Sequence, residues 1–121
     1  MDCLKGGQGR EEVGMADEVI VLITAASDSE AAKIAQSLVE EHLAACVNIV
    51  PGVRSLFFWD GKTQDERETL LICKSRSPLM SKIIQKVKLL HSYSVPEIIA
   101  LPIIAGSPDY LAWVRETTKE Q

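Results

Sequence analysis

The 121-residue chain has only two histidines and three cysteines, and Cys3, Cys46 and Cys73 are odd in number and far apart. That spacing matches neither a disulfide framework nor a CxxC metal clamp, so the cysteines read as reduced thiols. Long apolar runs are missing too. The longest, Ile98 to Ala105, is interrupted by Pro102 and falls well short of the about 20 residues that cross a bilayer as a helix. No membrane-spanning helix is expected. The first residues lack the basic-then-apolar order of a secretory signal, because Met1 to Asp17 mixes Gly, Lys, Arg, Glu and Asp. A cytoplasmic location is expected. Basic charge is not in excess. The net charge of -4 at pH 7 argues against nucleic acid as a partner, since polyphosphate binders present a concentrated basic face. There is also no GxSxG elbow, HExxH pair or P-loop, so no enzymatic activity is expected.

What remains is 46% hydrophobic and 25% charged, enough for one core and too little for two ordinary domains. Four of the seven glycines fall within the first fourteen residues. With little apolar surface to offset its ordering entropy, the segment 1–17 is expected to be a disordered tail preceding one domain over 18–121.

Val19 to Ile23 is β-branched and apolar and predicts a strand. Ser27 with Glu30 has capping-box spacing, and Ala31, Ile34, Ala35, Leu38, Val39 and His42 recur at helical spacing, predicting a helix from about Asp28 to Leu43. His42 at its end suits the negative pole of the helix dipole. A long bent strand then runs to Trp59 through Pro51-Gly52. Asp60-Gly61 predicts a type I′ hairpin turn, with a return strand from Thr69 to Lys74. Ser77-Pro78 opens a second helix with a buried stripe of Met80, Ile83, Ile84, Val87 and Leu90. Ile98 to Ile104 predicts a fourth strand covered on both sides, with Pro102 at an edge or bulge. Ser107-Pro108-Asp109 opens a short C-terminal helix with Tyr110, Leu111, Trp113 and Val114 on its apolar side.

The order strand, helix, strand, strand, helix, strand gives an α+β fold, a ferredoxin-like βαββαβ sandwich in which two helices cover one sheet face. The other face is open, although Leu70 with Ile72 and Leu71 with Cys73 make the central return strand apolar on both sides. Ala45 to Trp59, fully extended, approaches about 50 Å, whereas a domain of about 100 residues has a radius of gyration near 13 Å. The hairpin therefore overshoots its own core. Its tip carries Phe57, Phe58 and Trp59, half of the six aromatics. Burial against further copies of the chain relieves that exposure.

Several ordered motifs are similar to those of the CutA divalent-ion-tolerance family. They are Leu43-Ala44-Ala45-Cys46-Val47-Asn48-Ile49-Val50-Pro51-Gly52; Ser55 to Lys62 with Trp59 and Gly61; Glu68 to Lys74; His91, Tyr93, Pro96 and Glu97; and Gly106, Tyr110, Leu111 and Trp113. Together they span about residues 19 to 117. Phe57, Ser92 and Thr63 depart from the family pattern, which often has Tyr, Pro and an aliphatic residue there. The resemblance implies a homotrimer in which long hairpins extend onto neighbouring subunits, with a role in tolerance of divalent metals such as copper. The same trimeric architecture resembles the PII signalling proteins, so a signalling or scaffold trimer without metal chemistry is the alternative.

The candidate site residues follow. His91, Tyr93 and Glu97 lie on one connection and read either as a ligand cluster or as a network fixing the loop around Pro96. Trp59, Lys74, Glu97 and Trp113 are expected to line a cleft at a subunit boundary, with Glu97 or Glu68 offering Lys74 an anionic partner. Cys46, with His91, is the soft-metal candidate, because thiolates favour copper(I); a small buried hydrophobe is the other reading of Cys46. Cys73 is expected in the core. No two of these residues have chelating spacing, so a tight metal site has to be assembled across elements or subunits.

Overall fold

A computed structural model describes residues 17–119. The expected tail lies outside the described residues but for Asp17. The strands and helices are β1 (Glu18–Ala25), α1 (Asp28–Glu40), β2 (Cys46–Trp59), β3 (Lys62–Arg76), α2 (Met80–Leu90), β4 (Ile98–Pro102) and α3 (Pro108–Thr117). The four strands form one sheet of order β2-β3-β1-β4 with every pair antiparallel. This is the ferredoxin-like arrangement.

Strand alternation decides where the core sits. Val19, Val21 and Ile23 of β1 and Leu71 and Cys73 of β3 point to one face, where Ala31, Ile34 and Leu38 of α1 and Ile83 and Val87 of α2 close over them. Their opposite-parity neighbours, including Ile20, Leu22, Ile72 and Lys74, face the other side. There α3 packs against β1 and β3 with Leu111 and Val114 buried beneath it.

Local signals explain most boundaries. Ser27 Oγ accepts the Glu30 N–H at 3.2 Å, capping α1. Glu30 reaches back to the N–H of Ala26, one residue beyond the Ser27 N–H of a reciprocal capping box. The helix stops at Glu40, three residues earlier than its periodicity suggests, because His42 adopts φ +60. The N–H of His42 then donates to the Val39 carbonyl and that of Leu43 to the Leu38 carbonyl, a Schellman ending with histidine in the position glycine usually takes. The His42 ring is exposed and Nδ1–H donates to the Thr117 carbonyl at 3.0 Å. It therefore serves the C-terminus of α3 rather than that of its own helix.

The hairpin turns at Asp60 and Gly61, φ +56 and +78, and its strands pair from Trp59 opposite Lys62 back to Cys46 opposite Lys74. A register shift between Val50 and Val53, at Pro51-Gly52, bends the arm. The return strand is thus far longer than the apolar stretch Thr69–Lys74, starting at Lys62.

Four further expectations change. A 3-10 turn, Ser77–Leu79, precedes α2 without a side-chain cap, and Ile84 lies at the exposed edge of the apolar stripe. β4 ends at Pro102 rather than Ile104. It is an edge strand with Ile99 and Leu101 exposed, not one covered on both sides, and its edge position is what admits proline.

Candidate functional site

The candidate residues divide between two polar clusters at opposite ends of the sheet. The first is built where α2 ends. His91 caps α2, and its ring is fully buried. Nε2–H donates to the Thr24 carbonyl at 2.7 Å, and Nδ1 accepts the backbone N–H of Tyr93 at 3.0 Å. A carbonyl can only accept and an N–H can only donate, so the two bonds fix neutral imidazole protonated on Nε2.

Glu30 Oε2 lies 3.3 Å from Nδ1. Burial opposes ionisation of Glu30, but hydrogen bonds from Ser92 and from the Ala26 N–H outweigh it and hold the carboxyl below its ordinary range. Tyr93, its ring 4.8 Å from that of His91, donates its hydroxyl to Glu68 at 2.8 Å. Burial, then that hydrogen bond and the charges of Glu68, Glu30 and Glu66, push the phenol up to about 12. The potential here is negative.

In front of Tyr93 opens a cleft of about 1100 Å³ between the arm and the loop after His91, lined among others by Trp59, Glu66, Glu68, Tyr93 and Glu97. Trp59, Tyr93 and Glu97 therefore share one cleft. His91 stands behind it as a positioning group.

The second cluster lies on the sheet face that α3 packs against, six residues further along β3 from Glu68, roughly 20 Å at strand rise. Cys46 and Lys74 are directly opposed across β2 and β3. Lys74 Nζ donates to Asn48 Oδ1 and lies 3.9 Å from Cys46 Sγ. Neither Glu97 nor Glu68 pairs with Lys74, because the strand register places Asn48 and Cys46 beside it instead. Tyr110 of α3 stands beside Cys46, and burial first, then Cys46, raises its phenol above the ordinary value. Trp113 stacks at a tilt on Tyr110, centroids 5.5 Å apart, and is exposed. Lys74 and Trp113 thus do not share the cleft of Trp59 and Glu97.

Cys46 and His91 are not brought together, and both ring nitrogens of His91 are engaged. Among the described residues no three His, Cys, Asp or Glu side chains come close enough to hold a metal ion. Cys73 is fully buried in the core, where burial pushes its thiol up to about 12.

The description of the CutA1 divalent ion tolerance family matches residues 19–117. The chain belongs to that family. A divalent-cation tolerance protein CutA of Thermus thermophilus is 50% identical over 101 residues, covering 84% of this chain and 98% of its own length. A chloroplastic CutA protein of Arabidopsis thaliana is 46% identical over 101 residues, which are 84% of this chain and 56% of that longer protein. Among solved structures, the Thermus thermophilus divalent cation tolerance protein superposes with a TM-score of 0.83 over 84% of this chain and 99% of its own. CutA1 of Oryza sativa, 43% identical, gives 0.83 over 86% and 95%. A CutA structure from Archaeoglobus fulgidus, 42% identical with a TM-score of 0.82 over 84% and 99%, is described as periplasmic. CutA family members thus carry names from more than one compartment.

Sequence reasoning missed Glu30, Ser92 and Tyr110. Ser92, a departure from the family pattern, supplies the donors that Glu30 uses, and Tyr110 is the hydroxyl beside Cys46.

Proposed function

We propose that this chain works without enzymatic activity as a cytoplasmic homotrimer that binds or senses a divalent cation such as copper, or a small ligand, at subunit boundaries. The observation that carries the reading is the arm. Leu56, Phe58 and Trp59 expose 63%, 72% and 56% of their surface in the single chain, and β4 offers a short, unpaired edge with Ile99 and Leu101 outward. Burying such a tip against a neighbouring copy removes large aromatic surfaces from water at about 25 cal/mol per Å².

One protomer does not fit a resident copper centre, because no three donors converge among the described residues. A bound cation therefore needs donors from a second chain, and the negative cleft around Glu66, Glu68 and Glu97 supplies this chain's half. Light scattering should return the mass of three chains, and titration of the reduced trimer with copper and other divalent ions should saturate. Absence of saturable binding removes the cation half, and a stable monomer at micromolar concentration removes the whole reading.

The missing three-donor set also favours a second reading, a PII-like signalling or scaffold trimer that assembles with another protein. Titration discriminates. Saturable binding weakened by Glu68→Gln or Glu97→Gln supports the cation reading, and a trimer with no saturable binding supports the scaffold.

A further inference from the structure

The cluster of Cys46, Asn48 and Lys74 beside α3 is not used by the cleft. We propose that Cys46 and Lys74 form a redox-reversible covalent link between β2 and β3 when the thiol is oxidised by a peroxide.

Three observations carry this. The two residues are direct partners in the antiparallel register, so both side chains leave the same face from adjacent backbone positions. Lys74 Nζ is held by Asn48 Oδ1 within 3.9 Å of Cys46 Sγ, so the nucleophile is already beside the sulfur. Tyr110 of α3 stands beside the same sulfur.

The chemistry takes two steps. Cys46 sulfur attacks hydrogen peroxide, the O–O bond breaks, sulfur is oxidised to the sulfenic acid and one water leaves. The lone pair of the deprotonated Lys74 amine then attacks that sulfur. The S–N bond forms, the S–O bond breaks, and hydroxide departs as a second water with the proton shed by nitrogen. Thiol, amine and one peroxide give a sulfenamide and two waters, and excess thiol reverses the link by attacking the sulfur and releasing the amine.

Selectivity is built in. Cys46 is partly exposed, whereas Cys73 is fully buried with its thiol pushed up to about 12, and no amine is seen bonded to it. The link lies at the start of β2, at the end of the hairpin farthest from the arm tip, so it fastens the edge strand to β3 there.

The test is peptide mapping by mass spectrometry of the full chain in its native assembly after brief treatment with hydrogen peroxide. The expected product is a Cys46 peptide joined to a Lys74 peptide with the loss of two hydrogens, abolished by dithiothreitol. Lys74→Arg keeps the charge and should divert Cys46 to a sulfenic acid trapped by dimedone. Joined peptides that retain an oxygen overturn the direct S–N bond. Unjoined sulfinic or sulfonic acid at Cys46 in the parent chain, or equal dimedone trapping in parent and variant, overturns the link.

Discussion

His91 Nε2 and the Thr24 carbonyl are joined at 2.7 Å across 67 residues of sequence, and this bond ties the end of α2 to the end of β1. Because Nδ1 simultaneously accepts the Tyr93 N–H, the ring is a neutral two-ended strut. Nitrogen-edited NMR should report the Nε2–H tautomer. His91→Ala should lower unfolding stability by about 1 to 3 kcal/mol, since it leaves a buried carbonyl and N–H without partners. A stability equal to the parent's excludes the strut.

Tyr93 gives a prediction at high pH. Its phenol is raised from 10.0 to about 12, so the folded state holds the proton more tightly than the unfolded chain does. The stability this contributes is fully present below the unfolded value and is lost as pH rises through about 12. Ultraviolet titration should show this phenolate appearing well above the ordinary tyrosine range, and Tyr93→Phe should remove that step. Glu68→Gln should lower it, since Glu68 supplies both the hydrogen bond and a repelling charge.

Glu30 gives the opposite case. Its carboxyl is held below 4.5 because, despite burial, Ser92 and the Ala26 N–H bond the ionised form. A depressed acid contributes stability above its unfolded value and loses it as pH falls through the folded value. Ser92→Ala should raise the Glu30 value towards 4.5 and lower stability at neutral pH by about 1 to 2 kcal/mol, as for a hydrogen bond to a charged group. The gap between variant and parent should close in acid. A gap independent of pH assigns the loss to loop packing instead.

Much of this was legible because its signals are local. Asp60-Gly61 specifies its turn, Ser27 its cap, and the βαββαβ order follows from alternation and helical period. The return strand was not legible before Thr69, because Lys62 to Glu68 is polar on both faces of an arm that extends beyond the core. The end of α1 was hidden because His42 takes a backbone conformation that glycine normally signals. In the site, the grouping of Trp59, Tyr93 and Glu97 was accessible through their motifs. The neighbours of Lys74 were not. They depend on the register that sets it opposite Cys46, and Tyr110 reaches Cys46 only once α3 has crossed the sheet.

Trp59 separates assembly from protomer stability. In the single chain its side chain is more than half exposed, so truncation removes little that one protomer buries. If a neighbouring copy encloses it, Trp59→Ala should cost about 3 to 5 kcal/mol per buried aromatic, all of it charged to association. Light scattering across a dilution series should then show the variant dissociating at concentrations where the parent keeps the mass of three chains. Circular dichroism of the dissociated variant should retain the sheet and helices, because no core residue has changed. A variant that stays assembled at every dilution places the arm tip outside the interface and leaves the exposed edge of β4 as the surface that must hold the copies together.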